Sequence, residues 1–210
     1  MDEVTPDSAQ TQDLLRQIRE GNRQAFEQLF AEHRPQLRRF IESRLDPRLR
    51  ARVDASDVVQ ETQIEVLGRL QDFLDRQPMP FRLWLRKTAY ERLLKIRRLH
   101  VEAAQRSLDR ELPLPDRSSL ALAQQLLAPG STPSQHLGRR EQARCVRQAM
   151  AQLSHTDREI LLMRNFEGMS NQEVAQVLQL EPAAASQRFG RALLRLRKLL
   201  LSSGLMEDPS

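Results

Sequence analysis

Apolar residues recur at three- and four-residue steps along most of this chain, and they predict helices rather than strands. Residues 1–11 lack such a period and read as a disordered leader. From Asp13 a short helix runs through Leu14, Leu15 and Ile18 and ends near Gly21. Asn22 is a good N-cap for the next helix, in which Phe26, Leu29, Phe30, His33, Leu37, Phe40, Ile41 and Leu45 keep one face. Pro35 falls inside that run and is expected to kink or divide it. Residues 44–52 are Arg-rich and read as a loop or short helix. Asp54 and Asp57 then open a helix whose stripe of Val59, Thr62, Val66, Leu70 and Phe73 faces inward, with Asp57, Gln60, Glu61, Ile64 and Glu65 on the other side. Beyond the breaker at 77–80, Phe81, Trp84, Leu85, Thr88 and Ala89 give an inward face. The distal half of that helix carries Arg92, Lys95, Arg97 and Arg98.

The pattern lapses over 101–133, where Pro113, Pro115, Pro129, Gly130 and Pro133 interrupt any long helix and predict a tether. Helical spacing resumes at Ser134, with Ala143, Val146, Met150 and Leu153 inward. Two hydroxyl-to-Glu signatures follow, Thr156 to Glu159 and Ser170 to Glu173, and each marks a helix start. Val174, Ala175 and Leu178 continue the second helix to a break at 179–181. Pro182 then suits the first position of another helix. Short helix, tight turn and second helix make a helix-turn-helix, with Gln179 at the turn position where Gly is usual and a positive φ costs roughly 1 kcal/mol.

The last helix has two faces. Ala185, Phe189, Ala192, Leu193, Leu196 and Leu200 point inward, while Gln187, Arg188, Arg191, Arg195 and Lys198 form a second stripe. No acid occurs from Pro182 to Leu201, whereas a merely solvated helix normally alternates Glu with its bases. Such a face suits a polyanion. The fold class is therefore all-α: two small helical bundles joined by a flexible linker, the C-terminal one a helix-turn-helix. The expected boundaries are a leader at 1–11, a first domain at 12–100, a linker at 101–133 and a second domain at 134–204.

Composition sharpens this picture in three ways. The net charge of +5 over 210 residues favours an acidic partner such as nucleic acid. Cys145 is the only cysteine, so no intramolecular disulfide forms, and the polar, acidic N-terminus is unlike a signal peptide; a cytoplasmic protein without membrane insertion is expected. The four histidines (His33, His100, His136 and His155) are scattered, and no Gly-rich phosphate loop occurs. His33 reads as a packed residue and His155 as part of a local cap. Neither catalysis, metal, cofactor nor small-molecule substrate is expected.

Several short motifs, taken in order, resemble the RNA polymerase sigma factors of the extracytoplasmic-function type. Asp57-Val58-Val59-Gln60-Glu61 matches an acidic motif of the first domain, and Trp84-Leu85 matches one on the following helix. Leu153, Asp157, Arg158, Glu159, Gly168, Ser170, Glu173, Val174 and Ala175 match the second domain, and Ser186, Arg188, Phe189, Arg191 and Ala192 its recognition helix. The resemblance covers about Asp13 to Leu201. It implies that Asp57, Gln60, Glu61 and Ile64 dock on core RNA polymerase. It further implies that Arg92, Lys95, Arg97 and Arg98 read and melt the minus-10 promoter DNA, and that Ala184, Ser186, Gln187, Arg188, Arg191, Arg195 and Lys198 meet the minus-35 element. Within the last set, Arg195 and Lys198 are expected on phosphates and Gln187, Arg188 and Arg191 near base edges. Members of this family are commonly held by an anti-sigma factor, a partner the sequence itself does not identify. The chain departs from the family at Glu91, often Asn, at Lys95, often Asp, and at Ala183-Ala184, often Gly-Thr, so no promoter sequence is implied. A stand-alone helix-turn-helix regulator is the rival reading, and it leaves the acidic face and the second basic helix unexplained.

Overall fold

A computed structural model of the protein describes residues 3–45, 53–104 and 139–203. They form nine α-helices: α1 (Ala9–Arg19), α2 (Arg23–Glu42), α3 (Ala55–Gly68), α4 (Leu70–Arg76), α5 (Phe81–Ala104), α6 (Arg139–Ala151), α7 (His155–Leu161), α8 (Asn171–Leu178) and α9 (Pro182–Ser202). A π-helical segment, Leu162–Phe166, continues α7. The predicted linker beyond residue 104, the helix start at 134–138 and the Arg-rich stretch from 46 to 52 lie outside the described residues.

The leader is the first correction. Ser8 accepts a hydrogen bond from the Thr11 N–H, so α1 begins at Ala9 rather than at Asp13. Ahead of it, Asp7 accepts from the backbone N–H of Phe81 at 2.7 Å and of Arg82 at 3.5 Å, and so caps the start of α5. The Thr5 N–H donates to Glu173 at 3.0 Å, and Arg82 donates to the Thr5 carbonyl at 2.8 Å. A polar segment without an apolar period is held in place here by hydrogen bonds to partners far along the chain.

Gly21, at φ 91°, ends α1, and Asn22 accepts from the N–H groups of Gln24 and Ala25 to begin α2. Helix α2 then runs through Pro35 as one element, so the proline does not divide it. Proline removes a single N–H from the ladder, and Leu29, Phe30, Leu37, Phe40 and Ile41 are buried on both sides of it, so packing holds the helix across the gap. Asp54 caps α3 through the Ser56 N–H at 2.6 Å. Arg69 separates α3 from α4, yet the predicted stripe of Val59, Thr62, Val66, Leu70 and Phe73 is buried throughout. Phe73 stacks on Trp84 with centroids 4.3 Å apart, and Phe81 meets Phe73 edge-on at 5.7 Å. His33 lies 5.3 Å from the Phe81 ring, and burial lowers its pKa, as befits a packed, neutral histidine.

In the second bundle the cap of α7 is Ser154, which accepts from the Asp157 N–H, and not Thr156. The shift frees Glu159 from capping. Ser170 and Glu173 form the predicted reciprocal capping box at α8, with bonds of 3.2 and 2.9 Å. Gln179 takes φ 55° and ψ 46°, the left-handed turn position, and Pro182 starts α9. Ala185, Ala192, Leu196 and Leu200 of α9 are buried against α6, α7 and α8. The two bundles also touch each other, chiefly where α5 meets α8.

Candidate nucleic-acid interface

The second face of α9 is open. Ala184, Ser186, Gln187, Arg191, Arg195 and Lys198 are exposed and Arg188 is half-buried; helical spacing puts all of them but Ser186 on one surface. Arg188, Arg191 and Arg195 line an open concavity with Ser154, Thr156 and Asp157. Asp157 lies 2.5 Å from Arg195 and fixes its guanidinium; the acid missing from α9 is supplied by α7. Arg164 adds a guanidinium 5.2 Å from the Phe189 ring.

The Asp157-Arg158-Glu159 triplet, matched as one motif, divides into three tasks. Asp157 holds Arg195. Arg158 donates to the Met150, Ala151 and Leu153 carbonyls, where α6 ends and its last oxygens lack helical partners. Glu159 faces the first bundle.

The basic half of α5 is less open than its sequence suggests. Arg92 pairs with Glu61 at 2.6 Å and Lys95 with Glu65 at 3.7 Å, tying the expected minus-10 residues to the acidic face of α3. These pairs are partly exposed, so each is worth at most about 1 kcal/mol and yields readily to a stronger ligand. Arg98 is exposed. Arg97 instead reaches His155 of the second bundle.

On α3, Asp57, Gln60 and Glu61 are exposed and Ile64 is 71% exposed. Leu67, one turn on, is 54% exposed and belongs to the same patch. Sequence reasoning missed Leu67, although its position three residues after Ile64 and off the buried stripe was the available signal. Two large apolar residues thus stand in water beside carboxylates.

The seam between the bundles was not anticipated. Arg44, with its side chain 3% exposed, sits 2.7 Å from Glu159 and 2.6 Å from Glu167. Arg82 pairs with Glu173, and Arg86 lies 3.8 Å from Glu167. Burial disfavours the Arg44 charge, but the two carboxylates outweigh it and raise its pKa. For Arg86 burial dominates and lowers the pKa. Burial likewise opposes the Glu173 carboxylate, yet Arg82 and the N–H groups of Ser170 and Thr5 prevail and lower its pKa. His155 is no local cap: its ring lies parallel to Tyr90 and accepts from Arg97 at Nδ1, and burial with the neighbouring Arg97, Arg158 and Arg44 pulls its pKa down to about 3.

Among the described residues no group of His, Cys, Asp and Glu is placed to hold a metal ion, and no helix is long and apolar enough to cross a membrane.

Comparison with known proteins accounts for both bundles. The family models for sigma-70 region 2 and sigma-70 region 4 match residues 29–100 and 143–196. The RNA polymerase sigma factor CnrH of Cupriavidus metallidurans is 31% identical over 188 residues, spanning 89% of this chain and 92% of the relative. NccH of Alcaligenes xylosoxydans xylosoxydans, also an RNA polymerase sigma factor, is 29% identical over 90% of this chain and 94% of its own length. The solved structure of CnrH in complex with the cytosolic domain of CnrY superposes with a TM-score of 0.59 at 28% identity, covering 92% of this chain and 99% of that one. A stand-alone regulator would leave the region 2 match, with its acidic α3 face, without a role. The chain belongs to the sigma-70 family of RNA polymerase sigma factors, in its extracytoplasmic-function group.

Proposed function

We propose that this sigma factor divides its work among three surfaces. The α3 face of Asp57, Gln60, Glu61 and Ile64, extended by Leu67, docks on core RNA polymerase. The α5 residues Arg92, Lys95, Arg97 and Arg98 engage the minus-10 promoter DNA. The face of α9 carrying Ala184, Ser186, Gln187, Arg188, Arg191, Arg195 and Lys198 enters the major groove at the minus-35 element. One observation carries the reading: α9 turns Ala185, Ala192, Leu196 and Leu200 into the core and leaves an acid-free row of cations in water. Arg195, which Asp157 holds, and Lys198 set register on phosphates, and Arg191 approaches base edges. An anti-sigma factor is a natural further partner, since CnrH was solved with CnrY.

Run-off transcription with purified core polymerase on a pool of genomic promoters tests the reading. Discrete start sites are expected with both components together and with neither alone. Arg191→Ala should relax preference at one position at about 1 to 3 kcal/mol, while Lys198→Ala weakens all sequences alike and lowers the salt slope by about one. Start sites indifferent to both substitutions would overturn the α9 assignment.

A further inference from the structure

One row of α5 is given over to the second bundle. Arg82, Arg86, Tyr90 and Arg97 fall on one side of the helix, and each has a partner or neighbour on α7, α8 or the loop before α8: Glu173, Glu167 and, for the last two, His155. Arg44, at the end of α2, joins the row through Glu159 and Glu167. Three carboxylates of one bundle thus sit among three arginines of the other, with the leader bonded to Glu173 and Arg82 at the edge. Arg44 Nη2 and Arg86 Nε have no hydrogen-bond partner, nor do the two Glu167 oxygens between them, so charge proximity rather than aligned hydrogen bonds holds Glu167 in this seat.

We propose that Arg44, Arg82 and Arg86 form a binding seat for the phosphate backbone of nucleic acid, and that Glu159, Glu167 and Glu173 occupy it in the closed chain as an internal stand-in for those phosphates. The inference rests on the promoter-binding reading and adds a regulated site to it. Guanidinium groups bind carboxylate and phosphate through the same N–H geometry, which makes exchange chemically direct. A charged seam is also suited to opening. Its ions regain hydration when parted, so closure confers selectivity with little net stability. Closure covers Arg97 of the proposed minus-10 set as well, so one movement uncovers both.

The test uses the full chain and a labelled random-sequence duplex of about thirty base pairs, followed by fluorescence anisotropy across a salt series, with the radius of gyration from solution scattering. Glu167→Gln removes a carboxylate shared by Arg44 and Arg86; Glu167 caps the π-helical segment through its backbone N–H alone, which the substitution keeps. It should enlarge the radius and steepen the slope of log K against log salt by about three to four, since Arg97 is uncovered with the seat and each phosphate neutralised adds about 0.9. Adding Arg82→Gln and Arg86→Gln should keep the larger radius and bring the slope back to within about two of the native value, the share of Arg44 and Arg97. Should Glu167→Gln fail to fold, Glu159→Gln poses the same question from the other side of Arg44. A chain that stays closed, or one that opens with no steeper slope, overturns the proposal. Lys198→Ala, a phosphate contact that acts on any sequence, separates the two readings in both backgrounds: if it alone is silent, the α9 assignment fails while the seat stands.

Discussion

Arg44 and Glu159, 115 residues apart in the chain, meet at 2.7 Å with both side chains nearly removed from water. The guanidinium also donates to the Phe40 carbonyl and the Ser43 hydroxyl at 3.0 Å each, and it lies 3.7 Å from the Phe40 ring. One arginine thus closes the end of α2 and joins two bundles whose apolar faces were otherwise complete. Removing it strands Glu159 and Glu167 together. Arg44→Met should part the bundles and lower stability by only about 1 kcal/mol in chemical denaturation, because the carboxylates it strands regain water as the seam opens, and a cycle with Glu159→Gln should show coupling. Additive single effects would mean the pair contributes nothing beyond its parts.

Asp7 caps α5 from outside the helix. Asp7→Ala should cost about 1 kcal/mol, and hydrogen exchange should speed at the amides of Phe81 and Arg82 before it changes elsewhere. Unchanged protection there would return the leader to the disordered state its composition suggests.

The left-handed backbone of Gln179 stores strain that glycine would not feel. Gln179→Gly should raise the melting free energy of the chain by up to about 1 kcal/mol, with α8 and α9 held at the same angle. A loss of stability would show that the Gln179 side chain contributes more than its backbone costs.

The lowered pKa of His155 has a definite sign. Its ring faces Tyr90 and Arg97, with Arg158 and Arg44 also near, and stays neutral in the folded chain down to about pH 3. An unfolded histidine takes up its proton near pH 6.5, so between about 6.5 and 3 the unfolded state binds more protons and stability falls as the pH falls. Glu173, whose pKa is lowered, adds a loss that begins as the pH falls into the ordinary carboxylate range, where the unfolded carboxyl takes up its proton. Denaturation of His155→Phe across pH 7 to 5 should therefore lose the His155 share of its pH dependence and keep that of His33, whose pKa burial also lowers. A slope equal to that of the native chain would place the titrating group elsewhere.

Much of this architecture was legible in the residues because it is built from local rules. Asn22, Asp54 and the Ser170–Glu173 pair name their own helix starts, since a cap acts on N–H groups two or three residues away. The inward faces of α2, α3 and α9 and the open cationic row of α9 follow from helical period alone. Even the awkward turn at Gln179 was visible, because a helix that stops before proline must place some residue there.

Tertiary structure alone decided the rest. Nothing near Arg44, Glu159 or His155 in sequence announces the partner each one finds, because charge attraction has no period and acts on whatever side chain folding brings within a few ångströms. The same holds for Asp7 and Thr5, whose hydrogen bonds span 74 to 168 residues. Local propensity could name the helices and their wet and dry sides; which wet side meets which is settled only when desolvated ions must find counter-ions, and that outcome sets whether this sigma factor presents its arginines to nucleic acid or to itself.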